Sequence, residues 1–192
     1  MLPTRADDVL LTTCGESLNS TPNNTGQEPM WRPANEHLPA CNWFGLGVVP
    51  YSPVARGVLT GKYRPGADPE AGSRAARGDR RIQETELRDE SLEIAGQIVA
   101  HAERRGMSAA QFATLWVLNN RFVTSVIAGP RTRAQWHDYL GATDCAFTAE
   151  DEALIDSLVA PGHPSTPGYN DPQYPVEGRP VWTALPEQGV SQ

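Results

Sequence analysis

Apolar positions along the chain follow two kinds of spacing, and their alternation sets the expected architecture. Gly47 to Tyr51 (GVVPY) is a short continuous apolar run, which predicts a strand whose end is near Pro50. From about Glu84 to Arg105, Leu87, Ile94, Ala95, Ile98 and Ala102 share one stripe, so a helix is expected there, stopped by Gly106. Ser108-Ala-Ala-Gln111 has the form of a capping box and opens a second helix through Phe112, Leu115 and Trp116 to about Asn119. Val123 to Ala128 is β-branched and apolar enough to predict a buried parallel strand. Thr132-x-x-Gln135 and Thr148-Ala-Glu-Asp151 open two further helices, the last ending at Pro161-Gly162.

The rest of the chain lacks either period. In the first forty residues, DDVLLTT has room for one short strand, while Ser17 to Pro33 is crowded with Asn, Thr, Gly and Pro. The connection from Ser52 to about Arg81 is rich in Gly, Pro and Arg, and a loop that long is usually functional or disordered. The tail from His163 is Pro- and Gly-rich and is expected to wrap the surface. Strand, helices, strand, helix is the pattern of a parallel α/β sheet. Two strands cannot complete an open sheet or a closed barrel, so the pattern describes part of a larger architecture. Three stretches result: an irregular leader over 1–40, an α/β unit over 41–162, and a tail over 163–192.

Composition narrows the function classes. The chain has 192 residues, whereas a complete (β/α)₈ barrel needs about 250. A net charge of −7 argues against nucleic acid as a partner, because phosphate backbones need a basic face. No apolar run approaches the roughly 20 residues of a membrane span, and the first residues lack the apolar stretch of a secretory signal. Cys14, Cys41 and Cys145 are odd in number and far apart, which fits reduced thiols in the cytoplasm. The sequons at Asn19 and Asn23 carry no meaning without secretion. Lys62 is the only lysine, which restricts every mechanism that requires one.

Three segments, in this order and spacing, resemble the aldo-keto reductase family. Tyr51-Ser-Pro-Val-Ala-Arg-Gly-Val-Leu-Thr-Gly-Lys-Tyr63 is similar to the loop after the seventh barrel strand. Ile127-Ala-Gly-Pro-Arg-Thr-x-x-Gln135 is similar to the end of the eighth strand and the helix behind it. Pro161-Gly to Gly168-Tyr-Asn-Asp-Pro172 resembles the C-terminal segment of bacterial members. The resemblance runs from about Leu38 to Arg179 and implies the C-terminal βα units of a TIM (β/α)₈ barrel, that is, a partial barrel holding NADP(H). It places Tyr51 under the nicotinamide ring. Ser52, the backbone of Pro53, Val54, Ala55 and Arg56, and Lys62 would cradle the pyrophosphate, with Gly57 and Gly61 permitting close approach. Arg74 would close the loop over the cofactor. Gly129 and Arg131 would meet the 2′-phosphate, which favours NADP over NAD. Gln135 and Asp138 would surround adenine and its ribose, although Gln135 equally satisfies a capping box and Tyr139 departs from the asparagine of many relatives. The competing reading of the first segment is a surface loop whose Gly and Pro only make turns.

No catalytic residue can be assigned. The family's proton-donating tyrosine and its lysine, aspartate and histidine partners lie on early strands, before the matched region. A tyrosine brought down from about 10 needs a fixed cation beside it, and Lys62 is already placed at the pyrophosphate. The tetrad is therefore expected to be absent. Gln27-Glu-Pro-Met and Asn35 to Cys41 vaguely resemble the sixth strand's end and its helix, but Glu28 stands where the family has glutamine. No G-x-S-x-G or H-E-x-x-H motif is present, His37 and Cys41 have no further ligands nearby, and no metal is expected. His101 and His137 are expected on solvated helix faces. Three functions stay open: an NADPH-dependent reductase of aldehydes or ketones complemented by missing strands, a non-catalytic NADP-binding or scaffold protein, and the product of a truncated gene. Exposed barrel edges would favour self-association.

Overall fold

Helix dominates the residues that the structure, a computed structural model, describes: Val9–Leu10, 38–159 and Thr166. The few extended residues nevertheless organise the rest. Strand β1 (Val9–Leu10) pairs in parallel with β2 (Gly47–Val48), with Val9 opposite Gly47 and Leu10 opposite Val48. The strand expected within DDVLLTT is thus formed at two residues. Helix α1 (Leu38–Phe44) lies between them in sequence and packs Leu38 and Cys41 against Val48. Burial pushes the Cys41 thiol above its ordinary pKa.

On its other side β2 meets residues 124–127. Thr124 N donates to Val48 O at 2.8 Å, Ile127 N donates to Pro50 O at 2.8 Å, and Tyr51 bridges Ile127 in parallel. The direction is that of the expected second strand, but no strand forms over Val123–Ala128. Val48 N donates to the Thr124 hydroxyl at 3.1 Å, so a side chain takes the place of a ladder carbonyl and regular pairing does not propagate. Nor is the segment buried: Ile127 is 48% exposed. Among the described residues there is one two-stranded sheet and one further bridge, with no barrel closed or half-closed.

The helix expected from Glu84 to Arg105 is two helices. Asp79 caps α2 (Arg80–Thr85) by accepting from Arg81 N and Ile82 N. Glu86 N and Leu87 N both donate to Ile82 O, which ends α2, and α3 (Asp89–Arg104) begins after Arg88. The break allows Thr85 and Glu86 to be fully buried. Gly106 ends α3 with φ 74°, Met107 N reaching Ala102 O and Gly106 N reaching Glu103 O, which is a Schellman closure. Ser108 and Gln111 form the expected capping box at α4 (Ala109–Asn119). Helix α5 (Arg133–Gly141) buries no residue. Helix α6 (Ala149–Leu158) has the expected box at Thr148 and Asp151 but stops at Leu158, short of Pro161.

The main core gathers the connection after β2, α3, α4 and α6. Ala55, Val58 and Leu59 are fully buried, so the 52–81 connection is far from structureless; a 3₁₀ turn spans Ala55–Thr60. Phe112 lies at its centre, edge-on to His101 at 5.4 Å and near Phe147 at 5.2 Å. His101 is not a surface residue: it is 7% exposed, with Nε2 2.6 Å from Asp151 Oδ1. It falls three residues after Ile98 on the buried stripe, a position that the helix period could have flagged. Burial alone would raise the Asp151 carboxyl, but hydrogen bonds from His101 and Thr148 and the Arg105 charge hold it below the ordinary range. This clasp ties α3 to the start of α6. His137 is exposed, as expected. The Gln27–Pro33 stretch, His37, the two sequons, Cys14 and the Pro161–Pro172 segment, apart from Thr166, lie outside the described residues.

Candidate functional site

At the end of β2 the chain turns through backbone that few side chains favour. Ser52, Ala55 and Arg56 have φ of 59°, 46° and 51°, and Gly57 follows at 97°. Short turns stabilise the path: Ala55 N donates to Ser52 O, and Gly57 N to Val54 O. Below it Ala55, Val58 and Leu59 anchor the loop in the core, and Arg56 Nη1 reaches Glu86 Oε1 at 2.8 Å. Lys62 folds back over Gly57, where an added Cβ would sit 2.5 Å from Nζ. Gly61 serves differently from the expected ligand approach, since a Cβ there would meet Val99 of α3 at 2.7 Å.

Above this loop lies a cleft of ≈ 340 Å³. Ser52, Pro53, Val54, Arg56, Gly57 and Lys62 form one wall; Gly129, Arg131, Gln135, Asp138 and Tyr139 form the other; Arg74 and the start of α4 complete it. Residues far apart in sequence therefore converge, and all the expected cofactor residues line the cleft except Tyr51 and Ala55. Ala55 has no exposed surface, and its N–H is taken by Ser52 O, so it anchors the loop and presents nothing to a ligand. Tyr51 is half-buried at the bridge to Ile127, outside the lining.

The second wall is held by polar contacts. Thr132 caps α5 by accepting from Gln135 N at 3.2 Å, while Gln135 Oε1 accepts from Arg131 N at 2.7 Å. The structural role considered for Gln135 is thus realised, shifted by one residue from a strict capping box. Asp138 accepts from the Ser108 hydroxyl at 2.8 Å, which joins α5 to the first turn of α4. Arg131 Nη1 reaches Gly72 O at 3.5 Å. Arg74 pairs with Asp79 at 3.3 Å. Burial would raise the Asp79 carboxyl, but bonds from Ile82 N, Arg74 and Arg81 N keep it below its ordinary value.

Sequence reasoning did not single out Ser108, Ala109 and Ala110 as lining residues. Their capping box marked a helix start, and a helix start is where anions are favoured; the fold that brings it to the cleft is not written in the box. Tyr139 also lines the wall, and burial followed by the Asp138 charge pushes its hydroxyl above the usual value, so it stays protonated. With Arg56, Lys62, Arg74 and Arg131, the cleft concentrates cations in a chain of net charge −7. Among the described residues neither histidine lines it, and no group of three or more His, Cys, Asp or Glu could hold a metal. No described helix is long and apolar enough to cross a membrane.

Comparison with known proteins gives this geometry a family. The model of the Aldo/keto reductase family matches residues 23–160. The chain is 34% identical over 137 residues to a probable voltage-gated potassium channel subunit beta of Oryza sativa subsp. japonica, covering 70% of this chain and 42% of that protein. It is 33% identical over 125 residues to the L-glyceraldehyde 3-phosphate reductase of Escherichia coli O157:H7, covering 62% and 35%. An uncharacterized oxidoreductase of Bacillus subtilis is 33% identical over 138 residues, covering 72% and 38%. The chain therefore spans less than half the length of these relatives. With most of its residues inside the family match, the chain belongs to the aldo/keto reductase family, a family of oxidoreductases.

Proposed function

We propose that this chain is the NADP(H)-holding part of an aldo/keto reductase barrel, working on a small aldehyde or ketone only when the remaining barrel units are supplied. The convergence of the 52–62 loop, Arg74 and residues 129–138 on one cleft carries the reading. The donor set fits a dinucleotide phosphate: cations, two helix starts and left-handed backbone suit anionic oxygens. Lys62 and Ser52 would hold the pyrophosphate, with the backbone after Pro53. Arg131 beside the start of α5 would take the 2′-phosphate as a planar fork. Asp138 and the amide of Gln135 would face the adenosine, and Tyr51 would flank the nicotinamide. Bound NADPH supplies a hydride for carbonyl reduction.

The chain's own residues would then orient the cofactor and do no proton transfer. Lys62 lies over Gly57 with Nζ 5.0 Å from the Tyr63 ring centroid, and Tyr63 is only 4% exposed. Among the described residues, that arrangement leaves no lysine-tuned tyrosine on the cleft. A cytoplasmic setting agrees with Cys41 and Cys145 as free thiols. Likeness to a protein named as a probable channel subunit favours, as a second reading, a non-catalytic nucleotide-binding role.

Fluorescence titration with NADPH tests both. Binding is expected, without NADPH consumption when 4-nitrobenzaldehyde is added; Arg131→Met should weaken NADPH about tenfold and leave NADH unchanged. No fluorescence change would end both readings, and turnover by the chain alone would end the claim that the tetrad is missing.

A further inference from the structure

Left-handed backbone outside glycine survives only where the surroundings over-determine it. Ala55, Arg56 and Gly57 run consecutively through that region. Part of the hold is apolar, from Val58 and Leu59 in the core. The other part is polar and crosses 30 residues of sequence: Arg56 Nη1 donates to Glu86 Oε1 at 2.8 Å, and to Thr85 Oγ1 at 3.4 Å. The Thr85 hydroxyl already donates to Arg81 O, so it meets Arg56 as an acceptor. Glu86 has no exposed surface, and the break between α2 and α3 is what allows it to turn inward.

Stability does not explain this carboxylate. Burial pushes Glu86 up to about 7 even though Arg56, Arg88 and Arg81 all face it and pull the other way. Ionising it therefore costs the fold, as buried ion pairs often do. Its partner, however, sits where the cleft wall runs through consecutive residues of disfavoured backbone. We infer that Glu86 is a positioning residue: through the Arg56 guanidinium it holds the 55–57 backbone in the form that shapes the phosphate wall of the cleft. The link to a nucleotide rests on the NADP(H) reading above; the hold on the loop does not.

Amide hydrogen exchange on the full chain without nucleotide tests the hold directly. At about pH 8, Glu86→Gln should speed exchange at Arg56, Gly57 and Val58 about tenfold after correction for intrinsic rates, leaving Phe112 to Leu115 in α4 unchanged. In the wild type, protection at the same amides should fall as pH drops, with a midpoint near 7. Equal protection in variant and wild type overturns the inference, as does a loss spread evenly through α3 and α4. Should the variant not fold, the wild-type titration decides, and flat protection from about pH 6 to 8 overturns it. NADPH titration forms the second arm. Glu86→Gln should weaken binding about tenfold and add nothing in an Arg56→Met background, because both act through one contact; additive losses overturn the route through Arg56. A wild type whose loop responds to pH but which binds no NADPH sinks the nucleotide reading alone.

Discussion

The two walls of the cleft are built on different principles. The 52–62 wall is fastened from beneath: Ala55, Val58 and Leu59 are wholly buried, and Arg56 is tied to a buried carboxylate. The 129–138 wall rides on α5, which buries nothing and leaves Trp136 and Leu140 each 47% exposed. It is kept in place by Ser108 to Asp138, Arg131 to Gly72 O and the contact of Gly141 with Gln111. A wall fixed by packing keeps its shape, since interiors resist deformation. A wall fixed by a few hydrogen bonds, part-buried or exposed, opens locally at lower cost. The 52–62 side is thus preformed, and the 129–138 side is able to adjust.

The largest test of that contrast is a pair of leucine truncations. Leu59→Ala should cost about 2–5 kcal/mol in urea unfolding, because it leaves a cavity in the core. Leu140→Ala should stay within about 0.5 kcal/mol. Comparable losses at the two sites would mean that α5 is covered in the folded protein in solution, as the remainder of a barrel or a second copy would do. Gel filtration of the wild type then tells these apart, since self-association through the open 124–127 edge would appear as an oligomer.

Next in size is the pH dependence that Glu86 confers. Its folded pKa, about 7, lies above the ordinary 4.5. Such a group favours the fold while protonated, so its contribution is complete below the unfolded value and is lost as pH rises through about 7. The stability of wild type relative to Glu86→Gln should therefore fall between about pH 5 and 8, by a few kcal/mol at most. Asp79 and Asp151, held low, act in the opposite direction and only on the acid side, where their stabilisation fades as they protonate. A difference between the two proteins that does not change over this window would remove Glu86 as its origin.

How much of this was legible in the sequence follows the same division. Capping boxes at Ser108 and Thr148 were legible because both partners sit within one turn, and both are formed. The cleft residues were legible through family likeness, which brought distant segments together without any geometry. The break after α2 was not, because Leu87 continues the apolar stripe and nothing local announces that Glu86 turns inward to a partner 30 residues away. The strand over Val123–Ala128 failed for a related reason: its composition suits a buried strand, but the Thr124 hydroxyl intercepts the pairing at Val48. Burial of His101 was legible from the helix period and was overlooked because histidine is polar; its acceptor, Asp151, lies on another helix.

The smallest expected effect probes the seam between the walls. Ser108 Oγ accepts from Gln111 N at 3.0 Å and donates to Asp138 at 2.8 Å, while Ser108 N donates to Gln111 Oε1. Ser108→Ala removes the cap of α4 and the tether of α5 together. The cap alone should cost about 1 kcal/mol, seen as a modest drop in Tm. The tether should be visible elsewhere, as faster amide exchange in α5 and slightly weaker NADPH binding. Asp138→Ala separates the two, since it removes the acceptor of the tether and spares the cap. If α5 is held only by these polar contacts, Asp138→Ala should loosen α5 as much as Ser108→Ala while leaving α4 protected. If α5 stays protected in both variants, packing fixes the second wall after all, and the contrast between the walls disappears.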